Sequence, residues 1–420
     1  GRNETYEMIE EFDTKRYNGA RFPTASASAI EDAVDRNHPV PLRLIALLES
    51  WLVSVDPNSQ NVVGESSEGD RTRSLLWDSG RMFTVPSGNH PFLAALSAAC
   101  LTPELPLMDR WLDILEKHLE RTESPRVWAS IGWRYLRWLH LAEHDRALRF
   151  IDRLFAQYPA LLGTELGAHL MANLQHWIPP EYAQRWLEAM EQTGDCGAQG
   201  FGEVLILRYV LHPEESWIRD RIDALLISPE ASTLRQRAGV THAVVHLWSE
   251  PDHRNGVHGY LLRLLAFTEK DVCEALGRIY WSNGLLPDCQ TSEVFDALLN
   301  NPTLLTISHA DRLAEHLEGL VDYDPARVAS LAHALLDHAG ASMGNLGASW
   351  YFSCEPLLVL ALALQDKEEP HRSAGLSLFE RMLEYNLPQA HELTLDLDRR
   401  MPNDCAPRPA RRRRKRRVAK

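Results

Sequence analysis

The sequence predicts an all-α protein, a right-handed α-solenoid of irregular helix pairs of the HEAT/TPR-like kind. Three observations carry this expectation. Apolar residues recur at spacings of three and four along most of the chain, sustained alternation of period two is nearly absent, and prolines interrupt the helical pattern at intervals that fit helix pairs. At 420 residues the chain also exceeds the ~250 to 300 residues at which a single core usually stops growing, so several units or an elongated array are expected.

Residues 1–54 read as an N-terminal helical segment, with a small-residue stretch from Phe22 to Ile30 and a clear helix in LRLIALLESWLV from Leu42. The chain starts at Gly1, with no basic start followed by an apolar run and a cleavage site, and the segment is expected to continue from an upstream region. Residues 55–74, VDPNSQNVVGESSEGDRTRS, are polar, contain glycine and lack a period, which predicts a flexible linker or loop. Residues 75–400 form the expected repeat array, and residues 401–420 a disordered Arg-rich tail.

The array opens at VPSGNHPFLAAL, Val85 to Leu96. Pro86, Ser87 and Gly88 suit a turn, Asn89 suits a helix cap, and Pro91 fits the first helical turn. A phosphate loop needs further glycines and a following lysine, and no Gly-Lys pair occurs in the chain, so a capped helix is expected here. Amphipathic stripes follow in LMDRWLDILEKHLE from Leu107, ALRFIDRLFAQY from Ala147, EYAQRWLEAM from Glu181, SWIRDRIDALLI from Ser216 and YLLRLLAF from Tyr260. An arginine leading into apolar residues recurs at Arg110, Arg153, Arg185, Arg221 and Arg263, at intervals of 43, 32, 36 and 42 residues. Each interval accommodates two helices and their turns. A single helix pair cannot cover its own apolar faces and must stack on its neighbours, which is the physical basis of a solenoid.

The charge distribution limits the partners. The formal net charge is -14, and Arg408 to Lys420 hold nine basic residues and no acid, so the rest of the chain carries -23. That body repels nucleic acid and anionic membranes, which leaves the tail, Arg411, Arg412, Arg413, Arg414, Lys415, Arg416 and Arg417, as the element suited to phosphates or to the acidic body itself. The longest apolar run, PLLVLALAL from Pro356, is too short for the ~20 residues that span a bilayer. Six scattered cysteines, Cys100, Cys196, Cys273, Cys289, Cys354 and Cys405, read as reduced and mostly buried thiols of a cytoplasmic protein, with Cys273 and Cys289 expected in the core.

SLLWDSGRMFTVPSGNHPFLAALSAACL, WLDILEKHLERTESPRVWASIGWRYLRWL, LWSEPDHR and the closing LSLFERMLEY and LTLDLDRR resemble the C-terminal helical region of very large bacterial ATP-binding proteins of the STAND type. The resemblance covers roughly residues 75 to 400. It implies helical repeats that sense a trigger, preceded in the parent protein by an effector and a nucleotide-binding module, in a ligand-triggered defence switch. The nucleotide module is not in this sequence, and the Arg-rich tail departs from the pattern.

His242, His246 and His253 are candidate metal ligands by spacing, but the pair lacks the glutamate of a His-Glu-x-x-His hydrolase and no metal or cofactor is expected. The densest aromatic cluster is VWASIGWRYLRWL. On a helix Trp128, Ile131, Tyr135 and Leu139 share one face, leaving Trp133, Arg134, Arg137 and Trp138 either to pack on the next repeat or to anchor a partner. The sequence therefore predicts a non-catalytic protein-interaction or ligand-sensing arm of a larger cytoplasmic NTPase switch. Its partners would be a protein trigger or other domains of the same parent, with oligomerisation through the upstream region. The alternatives are a stand-alone all-α hydrolase with an unrecognised carboxylate or histidine site, and nucleic-acid binding through the basic tail.

Overall fold

The structure, a computed structural model, describes residues 6–9, 11, 21–35, 38–54, 74, 76, 90–102, 107–121, 128, 131, 134–193, 195–228, 230, 233–282, 284–305, 310–343, 355–385, 387 and 390–394. These residues are all-helical, with no strand among them, and none of their helices is long and apolar enough to cross a membrane. The chain divides into two units, residues 1–284 and 285–420.

In the first unit, α1 (Arg21–Asp35) and α2 (Leu42–Ser54) both pack on α3 (His90–Cys100). The small side chains of α3 let its neighbours close in: Phe92 to Cys100 are all buried, and the Trp111 indole donates to Ser97 Oγ at 2.9 Å. The helix begins at His90, and the turn proposed at residues 85–89 lies outside the described residues.

From residue 108 onward the helices fall into two layers. One holds α4 (Met108–Leu119), α5 (His144–Gln157), α7 (Pro180–Glu191), α9 (Ser216–Ile227) and α11 (Arg254–Leu264). The facing layer holds a 3-10 segment (Leu136–Leu141), α6 (Glu165–Leu174), α8 (Asp195–Leu211), α10 (Leu234–Trp248) and α12 (Lys270–Leu276). Contacts run along the facing layer from the 3-10 segment to α6, α8, α10 and α12. Local chemistry sets the helix starts. Glu143 and Thr164 cap α5 and α6 by accepting the amides of Arg146 and Gly167, and Pro180 occupies the first turn of α7, where its missing N–H costs no hydrogen bond.

The recurring arginines have a structural meaning in the first layer. Arg110 pairs with Glu49 at 2.7 Å, Arg153 with Glu120 at 3.3 Å, Arg185 with Asp152, Arg221 with Glu191, and Arg263 with Asp223. Arg146 adds Asp113 and Glu116 to this series. Each arginine thus reaches back to a carboxylate on an earlier helix of its layer or, for Arg110, on α2. These pairs are partly or largely exposed and individually weak, so they set helix register more than stability.

The strongest constraint lies in the facing layer. A Cβ added at Gly202 on α8 would lie 2.1 Å from the Gln236 carbonyl oxygen of α10, and one at Gly239 on α10 would lie 1.9 Å from the Gln199 carbonyl oxygen of α8. The two backbones are therefore in direct contact, a separation that no larger residue permits. α10 is the central helix, buried around its whole circumference from Gln236 to Val245. Arginines are matched at both of its ends: Arg237 of α10 donates to Glu269 and lies over the Phe267 ring, while Arg254 of α11 donates to the Trp248 and Gly284 carbonyls with its guanidinium 3.7 Å above the Trp248 ring.

The second unit repeats the arrangement. α13 (Cys289–Asn300), α15 (Pro325–Met343) and α17 (His371–Glu384) pack in sequence, and α14 (Ala310–Glu318) packs on α16 (Glu355–Gln365). Asp288 caps α13, and Asp324 accepts the Arg327 amide ahead of α15. Arg327 also pairs with Asp296 at 2.6 Å, and Arg381 with Asp337, which continues the reach-back pattern. Gly375 brings α17 onto α16, where a Cβ added to it would fall 2.7 Å from the Ala361 carbonyl oxygen.

Among the cysteines, Cys100 and Cys273 are buried free thiols, and burial pushes Cys100 up to about 12. Cys289 corrects the sequence reading: it is exposed, because it occupies the first turn of α13 directly after the cap rather than the buried stripe of Val294, Phe295 and Leu298. Cys354 and Cys405 lie outside the described residues, as does the tail from Arg411 to Arg417. Ser74, last of the residues expected to form a linker, is buried and donates to Glu203 on α8 at 3.0 Å.

Two expectations follow from this packing. Gly239→Ala should lower stability by about 1 to 3 kcal/mol through overpacking, despite the gain of about 1 kcal/mol in helix propensity. Arg153→Ala, which removes one exposed pair, should cost no more than about 1 kcal/mol. Urea unfolding of both variants checks the ranking, and equal losses would show that the crossing is no tighter than the ion pairs. Burial also lowers His118 and His169 from 6.5 to about 4. The unfolded chain then binds protons that the native chain refuses, so stability should fall as pH drops from 6.5 toward 4, by up to about 1.4 kcal/mol per pH unit for each histidine. Replacing both by leucine should flatten thermal stability across that window, and an unchanged slope would remove these two groups as the cause.

Candidate functional site

The aromatic cluster divides into a buried and an exposed half. Trp128, Ile131, Tyr135, Leu136 and Leu139 are all buried. From Leu136 the chain tightens into the 3-10 segment, whose period of three keeps Leu136 and Leu139 on one edge. Arg137, Trp138 and Leu141 are left on the open side, with Trp138 37% and Leu141 59% exposed. The Arg137 guanidinium lies 4.9 Å over the Trp138 ring. Among the described residues it has no acidic partner, in contrast to the arginines that join the helices of the other layer.

Histidines extend this platform. His140 Nδ1 is 2.8 Å from the Arg137 carbonyl, its ring is 5.8 Å from Trp138, and it meets His176 edge-on at 5.2 Å. His176 comes from the turn after α6 and retains much of its exposure, yet loss of water around its ring, and next His140, hold it below the ordinary histidine range. His144 and Trp177 make a second edge-on contact at 5.5 Å. The arrangement provides a cation spread over an exposed indole, flanked by imidazoles and an aliphatic side chain, which suits non-covalent recognition.

The other sequence candidates are dispersed. Arg134 turns away from the platform: its Nη1 is 2.7 Å from Glu31 Oε1 on α1, and the Tyr135 hydroxyl donates to the same oxygen. It tethers the segment to α1. Trp133 lies outside the described residues. His242 and His246 sit on α10, His242 buried, and burial lowers the pKa of His246. His253 precedes α11, and these three histidines do not form a cluster of ligand atoms.

The described residues bring together one different group, His212, Glu214 and Glu215, whose ligand atoms lie within 4.8 Å of one another. Its chemistry is that of a lock. Arg208, fully buried, donates through Nε to Glu215 Oε2 at 3.2 Å and through Nη2 to Oε1, while its Nη1 donates to the Gln175 and Ile178 carbonyls at 2.8 and 3.0 Å. The Trp217 indole adds a third donor to Glu215 at 3.1 Å, and His212 Nε2 lies 3.0 Å from the Gln175 carbonyl. The positive charge that Glu215 requires is already supplied by Arg208, and a divalent cation would have to displace it. The sequence offered little sign of this lock beyond an arginine inside an otherwise apolar helical stretch.

No family model, no curated protein and no solved structure matches the chain. What the described residues define is an all-helical protein.

Because removing one member of a buried ion pair strands the other, Arg208→Met should destabilise the first unit by about 3 to 5 kcal/mol. The double change Arg208→Met with Glu215→Leu should recover part of that loss. A denaturant-based double-mutant cycle measures the coupling, and strictly additive losses would show that the pair is not a lock.

Proposed function

We propose that this chain is the recognition arm of a larger cytoplasmic NTPase switch protein, a right-handed α-solenoid of irregular helix pairs that performs no chemistry itself and binds a protein trigger. The observation that carries this reading is the Arg137–Trp138 platform. An arginine with no acidic partner among the described residues lies over an exposed indole beside an exposed leucine, and Trp and Arg are the residues that most often anchor protein interfaces. The two layers of helices within each unit support a solenoid, since stacked pairs present one layer as a long binding surface. The resemblance to the C-terminal region of STAND-type proteins supports the wider context: an upstream nucleotide module, oligomerisation through it, and a role in bacterial antiviral defence. Other domains of the same parent protein are partners of the same class.

The test separates anchoring from packing. Arg137→Ala with Trp138→Ala removes exposed side chains and should change stability by about 0.5 kcal/mol or less, while cells carrying the complete parent protein lose protection in a phage challenge. Arg134→Ala, which breaks the tether to Glu31, should instead cost about 1 kcal/mol of stability. Full protection by the Arg137/Trp138 variant, or a drop in its melting temperature that accounts for the loss, would overturn the reading.

A further inference from the structure

A groove of about 390 Å³ opens between α7 and α9, within the roughly 300 to 1,000 Å³ typical of small-ligand sites. Each helix lines it with residues spaced as one face: Gln184, Leu187, Glu188 and Glu191 on α7, and Trp217, Asp220, Arg221 and Ala224 on α9. Phe201 of α8 contributes to the apolar lining together with Leu187 and Ala224. The charges are unbalanced. Arg221 is matched by Glu191, but Asp220 has no partner among the described residues, and Glu188 has only the Gln184 amide, which donates to its Oε1 at 2.9 Å. Along the same layer Glu120, Asp152 and Asp223 are each met by an arginine from a later helix. The α7–α9 seam therefore keeps two unmatched carboxylates beside an indole.

The Trp217 indole is held in place from behind. Its Nε1 donates to Glu215, whose oxygens are in turn held by buried Arg208, so the ring is anchored at its polar edge while its apolar surface lines the groove. A fixed aromatic ring with two carboxylates beside it matches one chemistry: a planar cation that stacks on the ring and donates outward to the acids. The charge of -23 carried by the chain outside Arg408 to Lys420 would also draw a basic partner toward it at long range.

We propose that this groove binds an arginine side chain presented by a basic peptide segment of a partner protein, with the guanidinium stacked on Trp217 and hydrogen-bonded to Glu188 and Asp220. The site is separate from the Arg137–Trp138 platform and does not depend on what that platform recognises. Arginine is favoured over lysine because the planar guanidinium stacks and can engage both carboxylates at once, whereas an ammonium acts as a compact, strongly hydrated charge.

The test uses the complete chain labelled with 5-fluorotryptophan and a blocked (Arg-Gly)4 peptide as the probe. The ¹⁹F resonance of Trp217 is assigned by its loss in Trp217→Phe. Saturable movement of that resonance is expected, together with affinity for (Lys-Gly)4 that is weaker. Glu188→Gln with Asp220→Asn should weaken (Arg-Gly)4 binding by roughly tenfold or more, the scale of a lost charge-assisted hydrogen bond, with an unchanged melting temperature because both side chains are exposed. Glu143→Gln with Asp145→Asn, which removes equal charge from exposed positions at the start of α5, should leave binding within about twofold because distant charges are screened. A Trp217 resonance that stays still at millimolar peptide, equal binding by the lysine peptide, or equal weakening in both double variants would overturn the proposal, the last by showing diffuse attraction to an acidic surface.

Discussion

The first unit depends on the crossing of α8 and α10. Gly202 and Gly239 let the two backbones touch, and that contact puts α10 close enough to its neighbours to be buried around its whole circumference. The consequences spread outward. α10 carries Trp248, on which Arg254 of α11 lies, and α8 carries Arg208, which fastens the turn at Gln175 and Ile178 and the start of α9. If α8 and α10 were separated by the width of a methyl group, these buried arginines would lose the enclosure that makes their hydrogen bonds strong and would still bear the cost of desolvation. Polar contacts in this unit are therefore secondary to a steric condition set by two residues without side chains.

Much of the architecture was legible in the sequence because it rests on periodicity. The stripe read in LMDRWLDILEKHLE is the buried face of α4, with Trp111, Ile114, Leu115 and His118 all inside. The recurring arginines proved informative for a reason that spacing alone does not give: Arg110, Arg153, Arg185, Arg221 and Arg263 each meet a carboxylate on an earlier helix. A sequence reveals that an arginine recurs, but not which acid it reaches, since 58 acidic residues offer too many choices. The glycine crossing was illegible for the opposite reason. Helical patterning treats glycine as a gap, and α8 has almost no polarity contrast between its faces to show where it is held.

The candidate sites were legible only by half. Aromatic density identified the segment around Arg137 and Trp138, but treating it as one continuous helix placed Arg134 and Arg137 together. The tightening to a 3-10 segment separates their roles, sending Arg134 to Glu31 while Arg137 remains over Trp138. The candidate histidines show the same dependence on tertiary position. Spacing along α10 placed His242 and His246 on one face, but that face belongs to the most enclosed helix of the unit, whereas His212, Glu214 and Glu215 come together at a helix end that has no periodic signature.

Where helices pack side by side as in the first unit, charge is an informative surface feature. Reach-back pairing is the fate of several arginines and carboxylates of the first layer, each met by the opposite sign on a neighbouring helix. A matched pair contributes little to stability and leaves little field for a partner to detect. Arg137, Glu188 and Asp220 have no such ion-pair partner among the described residues and lie next to exposed or groove-lining indoles. Such a charge keeps its full attraction for a ligand, and the neighbouring ring supplies apolar area that remains in contact after water is expelled. The unmatched charges of the two surfaces have opposite sign and lie on different layers of the same unit. In the proposed reading, which charges the helices leave unmatched is what a partner would recognise.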